Sequence, residues 1–296
     1  MFFFKRDDGS VWIDLTNDGL DEKIVQRKDS TAVYMTQDIG LAAEKYNEYK
    51  PDLSLYVVAD EQNYHFKVLK LICQKLNIPS ADGIYHLSYG LVELPTGRMK
   101  TREGTVVDAD DLVDEMVRIA QQHTEELGKV QDFSPEELKE LYDTIGLGAL
   151  KFYLLRVDPK KKMVFNPEES IDFHGFTGPF IQYTYARIKS ILRKEQQEKN
   201  TGEVGYNLLA LEKAILLDLE KYPSIIEQAC AEMSPAVIAN YAFNLAKIFN
   251  SFYTEHSVSK AETAEKKQLR LQLCELTVIV LKSSMELLGI KVPERM

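Results

Sequence analysis

Apolar and polar positions follow two different patterns along the chain. Up to about residue 125, short apolar runs alternate with amphipathic segments. Two apolar runs flank Asp7–Ser10, whose composition is typical of a turn, so Phe2–Leu15 is expected to form a hairpin. Further strands are expected at Ala32–Met35, Leu53–Ala59 and Gly83–Leu94, and helices at Asp38–Tyr46 and His65–Leu76. This alternation is typical of a parallel βαβ arrangement.

From Asp108 onward the pattern becomes helical. Acidic residues at Asp108–Asp111 suit the positive end of a helix dipole and begin a helix that runs toward Glu126. Ser134–Glu137 carries an N-cap signature, with serine as the cap, proline in the first turn and glutamate three residues after the serine. The next helices are expected at Pro135–Thr144, Gly146–Arg156, Pro179–Glu198, Asn207–Lys221, Ile225–Met233, Pro235–Tyr253 and Ala261–Leu288. We therefore expect an α/β domain over residues 1–130 and an all-α bundle over residues 131–296.

The composition fits a two-domain protein that does not enter a membrane. The chain has 296 residues, of which 45% are apolar, and no run reaches the ~20 apolar residues that span a bilayer. Met1–Asp8 lacks the apolar core of a signal peptide. We therefore expect a cytoplasmic protein and, since nothing indicates oligomerisation, a monomer.

The cysteines and histidines carry no metal signature. Cys73, Cys230 and Cys274 lie far apart in apolar, helix-like stretches and form no Cys-x-x-Cys pair. The five histidines show no metal-like spacing either. We expect buried free thiols in a reducing compartment, and no metal site built by the protein.

The net charge of −10, taken alone, argues against binding to nucleic acid. The charge is uneven, however. Residues Lys151–Lys199 contain ten basic and six acidic side chains, which makes this window +4. A local basic surface on an acidic protein can still dock a phosphate backbone. RNA therefore stays among the candidate partners.

Three cations follow a turn at Pro95–Gly97. Arg98, Lys100 and Arg102 lie in a loop whose glycines can act as hinges. Such a loop can close over a triphosphate and neutralise the charge that develops on a departing pyrophosphate. A basic surface turn is the alternative interpretation of the same residues.

The stretch Gly97–Asp110 resembles the ATP-handling loop of arginyl-tRNA synthetases, a degenerate form of the class I signature Lys-Met-Ser-Lys-Ser. Met99 matches the methionine of the signature, and Thr101 stands where the signature has its second, catalytic lysine. The resemblance implies that ATP is a substrate, that Mg²⁺ comes with it, and that the catalytic cations facing its phosphates are Lys100, Arg102 and Arg98.

A second match concerns the arginine pocket. Tyr34–Asp38 fits the family's Tyr-x-Thr-x-Asp motif, and its end residues are four apart, so they share one face of a helix. A carboxylate suits a guanidinium because it accepts a two-pronged pair of hydrogen bonds. The resemblance implies Asp38 as partner of the arginine side chain and Tyr34 as a stacking or hydroxyl contact. A helix cap is the alternative for Asp38.

The stretch Val57–Phe66 resembles a third family motif, and it lies where a βα turn reaches the ligand edge of a parallel sheet. The resemblance implies that Gln62 touches the substrate. For His65 it implies either a contact with the ribose or a role in orienting the turn.

The segment Gly178–Arg193 resembles the opening of the anticodon-binding bundle of these synthetases. Helical spacing places Ile181, Tyr185, Ile188 and Leu192 on a core face. The opposite stripe carries donors for phosphates and an aromatic ring on which an unstacked base could stack. The implied tRNA-binding residues are Gln182, Tyr183, Arg187, Lys189 and Arg193. An ordinary solvated helix face is the alternative.

These resemblances span nearly the whole chain and extend to Met296, which is implied to pack near the tRNA-facing surface. They imply the C-terminal part of a Rossmann-type class I catalytic domain followed by an α-helical anticodon-binding bundle. The implied protein is the C-terminal half of an arginine–tRNA ligase, with arginine, ATP and the tRNA for arginine as substrates. The sequence has no His-x-Gly-His motif, so we expect this chain alone to form no adenylate. The alternatives are a stand-alone, non-catalytic tRNA-binding module and an unrelated nucleotidyltransferase.

Overall fold

The computed structural model of the protein describes residues 2–93, 95, 108–126, 128, 132–195 and 207–296. The chain forms two compact units, Met1–Leu91 and Val92–Met296. This division falls earlier than the boundary expected near residue 130. The reason is that the helix Ala109–Glu126 shares a core with the helix that follows it, so it belongs to the second unit.

The first unit opens with an antiparallel three-stranded sheet. Its strands β1 (Phe3–Lys5), β2 (Val11–Ile13) and β3 (Lys23–Gln26) lie in chain order. Gly9 takes a left-handed conformation, with φ of 90°, in the turn between the first two strands. Glycine adopts that conformation at little cost, so the two apolar runs can pair. The hairpin expected at Phe2–Leu15 is confirmed.

The strand expected at Ala32–Met35 is wrong, because α1 (Tyr34–Tyr49) begins inside it. Apolar residues recur here at helical spacing and pack into the core of the first unit. They are Met35, Ile39 and Ala42. Burial along one helix face therefore outweighs the local tendency of this short apolar run to extend.

Strands β4 (Ser54–Ala59) and β5 (Ile84–Tyr89) form a parallel pair connected through α2 (Asn63–Lys75). This is the expected βαβ arrangement. The helix buries one face, which carries Phe66, Val68, Leu69, Ile72 and Cys73. The turn Asp60–Gln62 consequently lies at the carboxyl edge of β4, where parallel sheets bind their ligands.

Where the structure describes it, the second unit is helical apart from the short parallel strands β6 (Val92–Glu93) and β7 (Met163–Val164). Within the described ranges its helices are α3 (Ala109–Glu126), α4 (Pro135–Leu155), α5 (Pro167–Ser170), α6 (Gly178–Lys194), α7 (Ala210–Glu220), α8 (Tyr222–Glu232), α9 (Pro235–Glu255) and α10 (Ala264–Leu287). Buried side chains of α6, α9 and α10 form a common core. In the part of the chain that the structure describes, no helix is long and apolar enough to cross a membrane.

The start of α4 follows the expected signature. The Glu137 N–H donates to Ser134 Oγ at 3.2 Å, and the Ser134 N–H donates to Glu137 Oε2 at 2.8 Å. The helix break expected between Thr144 and Gly146 is wrong. A Cβ on Gly146 would lie 2.9 Å from the backbone of Met116, so this glycine allows α3 and α4 to approach closely and does not end a helix.

A buried ion-pair network ties α7 to α10. Arg270 Nε lies 3.0 Å from Glu212 Oε1, and these side chains are 1% and 0% exposed. Lys266 Nζ lies 2.6 Å from the other Glu212 oxygen, and Arg270 also pairs with Glu262 at 2.8 Å. Burial by itself raises the pKa of the Glu212 carboxyl, but hydrogen bonds from Lys266, the Leu209 N–H and Arg270 outweigh it and lower that pKa. The carboxylate is therefore held in its charged form.

Candidate functional site

Helices α1 and α2 bring two of the predicted substrate-binding residues together. His65 Nε2 lies 2.6 Å from Asp38 Oδ2, and the two side chains are 24% and 31% exposed. Asp38 lies in the second turn of α1 and His65 in the first turn of α2. A carboxylate held through one oxygen keeps acceptor capacity on the other. The pair can therefore orient Asp38 toward a donor on a ligand.

The other predicted residues of this unit are accessible to solvent. Tyr34, the first residue of α1, is 81% exposed and lies one helical turn before Asp38. Gln62 is exposed in the turn that follows β4, three residues before His65. The predicted loop cations lie outside the described residues: Arg98, Lys100 and Arg102.

Two aromatic side chains, Phe66 and His86, pack next to His65. His86 on β5 stacks on Phe66 with ring centroids 4.3 Å apart, and its Nε2–H donates to the Val58 carbonyl oxygen at 2.9 Å. This contact fixes the start of α2 against β4 and so places His65. Sequence reasoning missed the role of His86. Its signal was the alternation along β5, which puts His86 on the face opposite Tyr85 and Leu87.

The thiols are structural where they are buried. Burial raises the pKa of Cys73 to about 11, and the negative charge of Asp38 contributes. Burial likewise raises the pKa of Cys274 to about 12. The expectation of burial is wrong for Cys230, which is exposed because α8 contributes no buried residue. Both buried thiols stay protonated and are poor nucleophiles.

A cleft of about 860 Å³ opens beside α6 in the second unit. Its walls combine cationic side chains with aromatic rings. The cations are Arg187, Arg193, Lys194 and Arg295, and the rings are Phe133, Tyr183 and Tyr253. Met296 also lines the cleft. Cations that meet phosphates and rings that stack on unpaired bases are the two components of single-stranded nucleic-acid sites.

Arg187 is held between two rings of this cleft. Its Cζ lies 4.7 Å from the ring centre of Tyr183 and 5.1 Å from that of Tyr253. Its Nη1 donates to Asn250 Oδ1, and Asn250 Nδ2 in turn donates to Thr184 Oγ1 at 2.7 Å. Cation–π contacts and the fixed amide therefore hold the guanidinium in one place.

Tyr253 was not singled out from the sequence. Phe249 and Phe252 on the same helix are fully buried, whereas Tyr253 is 40% exposed. The signal was the helical spacing. Tyr253 follows Phe249 by four positions and Phe252 by one, which places it at the edge of the face that those two residues bury. The structure places this ring in the wall of the cleft beside Tyr183.

Gln182 is a correction to the predicted set. It is fully buried, and its Nε2 donates to the carbonyl oxygens of Thr144 at 3.0 Å and of Lys291 at 2.8 Å. A buried amide cannot reach a phosphate or a base, so the predicted tRNA contact is wrong for this residue. Part of its cover comes from Lys291, 109 positions away along the chain, which helical spacing cannot reveal.

Lys189 and Arg193 contact the C-terminal Glu294. Lys189 Nζ lies 3.0 Å from Glu294 Oε2, and Arg193 Nη1 donates to the Glu294 carbonyl oxygen at 2.9 Å. The Tyr185 hydroxyl donates to Glu294 Oε1 at 2.9 Å. Burial raises the pKa of the Glu294 carboxyl, but Lys189, Tyr185 and Arg193 outweigh it and lower that pKa. Two of the predicted RNA contacts are therefore engaged within the chain.

Comparison with known proteins identifies two families in the chain. The family described as "tRNA synthetases class I (R), catalytic domain" matches residues 2–166, and the family described as "DALR anticodon binding domain" matches residues 181–296. The first match crosses the division between the compact units and extends beyond α4. Neither match ends at the boundary expected near residue 130.

Curated relatives and solved structures agree with these matches. The arginine–tRNA ligase of Flavobacterium psychrophilum is 56% identical over 99% of this chain and 49% of its own length. That of Amoebophilus asiaticus is 49% identical over 99% of this chain and 50% of its own length. The arginyl-tRNA synthetase of Thermus thermophilus superposes with a TM-score of 0.84 at 26% identity, covering 100% of this chain and 56% of its own. The chain thus spans about half the length of the curated relatives it matches.

Proposed function

The chain belongs to the arginyl-tRNA synthetase family, whose class I catalytic model matches more than half of it, and from that membership we propose that it supplies one half of an arginine–tRNA ligase. The observation that carries this proposal is the ordered pair of matches, a catalytic domain over residues 2–166 and an anticodon-binding domain over residues 181–296. The working enzyme would act in the cytoplasm as a monomer.

The proposed reaction has two steps. The arginine carboxylate attacks the α-phosphate of ATP, which gives arginyl-adenylate and pyrophosphate. A ribose hydroxyl at the end of the tRNA then attacks the arginyl carbonyl and releases AMP. In the first step Lys100, Arg102 and Arg98 would stabilise the charge on the departing pyrophosphate, and Mg²⁺ would enter with ATP.

Arginine recognition is assigned to Asp38 and its neighbours. The substrate guanidinium carries donors in a fixed planar fork, which a carboxylate matches. His65 holds Asp38 Oδ2 at 2.6 Å and so limits the rotation of the carboxylate. We assign His65 an orienting role for this reason. Gln62 and Tyr34, both exposed in the same unit, are the further substrate contacts.

Recognition of tRNA is assigned to the cleft of the second unit. An unpaired base stacks on Tyr183 or Tyr253, and the guanidinium of Arg187, which lies between these rings, donates to a phosphate or a base edge. Arg193, Lys194 and Arg295 line the same cleft and supply further positive charge. This set replaces the predicted one, in which Gln182 took part.

The second candidate is a tRNA-binding module that acts without catalysis, which the match of residues 181–296 to an anticodon-binding domain favours. Charging of arginine by the chain joined to the unmatched part of the Flavobacterium psychrophilum relative separates the two candidates, since only half of a ligase would support it. Two measurements on the purified chain test what the candidates share. We expect preferential binding of the tRNA for arginine in a gel shift, and no arginine-dependent exchange of pyrophosphate into ATP. Robust exchange by the chain alone would contradict the half-site assignment. Equal binding of all tRNAs would contradict the assignment of the cleft.

A further inference from the structure

The last eight residues of the chain form a fixed tail on the helical unit. Gly289, with φ of 67°, ends α10, and the Ile290 N–H donates to the Met285 carbonyl oxygen at 2.9 Å. Ile290 is 2% exposed and belongs to the main helical core. Lys151 Nζ donates to the Gly289 carbonyl oxygen at 2.7 Å. The tail is therefore anchored where it leaves α10.

The middle of the tail crosses α6. Gln182 Nε2 binds the Lys291 carbonyl oxygen, and two helical turns further along α6 the Lys189 ammonium pairs with Glu294 at 3.0 Å. Tyr185, between these two positions, donates its hydroxyl to the same carboxylate. The stripe of α6 that the sequence assigned to RNA is thus partly covered by the tail of the same chain.

The end of the tail is held on its far side as well. Arg295 Nη2 lies 2.8 Å from Glu137 Oε1, and its Cζ lies 4.6 Å from the ring centre of Phe133. Met296 packs against the core shared by α3 and α4. Anchors on both sides of Glu294 hold the tail in place, and its residues Arg295 and Met296 form one wall of the cleft.

We propose that Glu294 is a positioning residue that sets the selectivity of the cleft for its RNA. It withdraws Lys189 from the RNA, holds Arg193 through its carbonyl oxygen, and so places Arg295 at the cleft in a fixed position. The proposal rests on the proposed function of the cleft in tRNA binding. It differs from an autoinhibitory contact, in which the same tail would only compete with RNA.

The physical reason lies in the two kinds of RNA contact. Free cations meet phosphates of any sequence and raise the affinity for every RNA, with a salt dependence that grows with their number. Contacts to bases carry the selectivity and need fixed partners. Neutralising Lys189 limits the contacts with phosphates. Fixing the tail beside the rings that hold Arg187 favours the contacts with bases.

The test compares the 296-residue chain with its Glu294→Gln variant. Binding is measured at several salt concentrations, with a transcript of the tRNA for arginine and with a tRNA for another amino acid. We expect Glu294→Gln to lower the affinity ratio between the two by about tenfold, or ~1.4 kcal/mol. We also expect its log–log salt slope for the other tRNA to steepen by about 0.7 for each cation released. Glu115→Gln, which breaks the exposed pair with Arg118, serves as control and should change neither quantity.

A second variant separates charge from mere loss of structure. Lys189→Met breaks the same ion pair but releases no cation, so it should leave the salt slope for the other tRNA unchanged. Equally tighter binding of both tRNAs by Glu294→Gln would overturn the proposal in favour of autoinhibition, and an unchanged affinity ratio without tighter binding would overturn it outright. If the unsubstituted chain shows no preference for the tRNA for arginine, the proposed function fails as well. If the unsubstituted chain prefers the tRNA for arginine and Glu294→Gln keeps that preference, only the role proposed for Glu294 fails.

Discussion

His65 Nε2 lies 2.6 Å from Asp38 Oδ2, which joins the beginning of α2 to the beginning of α1. The two residues are 27 positions apart and come from different sequence motifs. Their contact leaves acceptor capacity on the Asp38 carboxylate, which the proposed pairing with a guanidinium needs. The pair therefore orients Asp38 through a contact within the chain, and this geometry supports the arginine site that we propose.

Asp38→Asn is expected to weaken the binding of arginine and to leave the binding of ATP nearly unchanged. A hydrogen bond to a charged group contributes about 1.5–3 kcal/mol, so the KM for arginine should rise roughly 30-fold while the KM for ATP changes little. His65→Gln should give a smaller rise, because it loosens Asp38 and removes no charge from the pocket. Steady-state arginylation is measured on this chain joined to the part of the Flavobacterium psychrophilum relative that it does not match. An equal rise in both KM values would contradict the assignment.

Tyr253→Leu is expected to weaken binding of the tRNA for arginine. Stacking of a base on an aromatic ring contributes about 1–3 kcal/mol, so the Kd should rise at least fivefold. Tyr253→Phe keeps the ring and serves as the matched control, with an expected change below twofold. Both are measured by titration at one fixed salt concentration. A loss in the phenylalanine variant equal to that in the leucine variant would point to the hydroxyl and away from stacking.

Gly146→Ala is expected to destabilise the helical unit. The added Cβ would lie 2.9 Å from the Met116 backbone, which cannot yield without moving α3, and overpacking of this kind costs about 1–3 kcal/mol. Gly40→Ala on α1 is the matched control. Nothing lies within 4 Å of its added Cβ, so it should stabilise by about 0.5–1 kcal/mol through helix propensity. Urea unfolding measures both. A stable Gly146→Ala variant would show that α3 and α4 adapt more easily than their contact implies.

These two glycines illustrate what the sequence could and could not predict. The family, the fold class and the βαβ arrangement were predicted correctly, because apolar periodicity and short motifs are local signals. The helix break at Gly146 was wrong, since a glycine that ends a helix and one that admits a neighbouring helix look alike in sequence. Gln182 was misplaced for a related reason, because its cover comes from distant parts of the chain.

The Asp38–His65 contact could be predicted only in part. Each residue was assigned through its own motif, but their contact depends on how α1 packs beside α2, which neither motif contains. Tyr253 was overlooked because it belongs to α9, outside the segment that carried the resemblance. The sequence therefore proposes individual residues for the candidate sites, and their contacts become visible only in the packing.

Glu212→Gln is expected to destabilise the helical unit by about 3 kcal/mol, since it removes the buried one of the two carboxylates that pair with Arg270. Exposed Glu115→Gln should cost less than about 1 kcal/mol. Unfolding by urea at neutral pH measures both. Equal, small losses in the two variants would contradict a structural role for the buried network.

Acid should weaken the same network. The folded-state pKa of Glu212 lies below its usual 4.5, so its contribution is fully present above pH 4.5 and is lost as the pH falls through the lowered value. The unfolding free energy of the unsubstituted chain should therefore fall more steeply below pH 4.5 than that of Glu212→Gln. Parallel pH profiles for the two proteins would contradict this assignment.

Arginylation by the joined protein decides whether this chain is half of an arginine–tRNA ligase. The chain, the unmatched part of the Flavobacterium psychrophilum relative, and the two joined are each supplied with ATP, the tRNA for arginine, and each amino acid in turn. We predict that the joined protein charges arginine, that neither part does so alone, and that Asp38→Asn suppresses the charging at low arginine. Charging by the chain alone, or charging of another amino acid by the joined protein, would contradict that assignment.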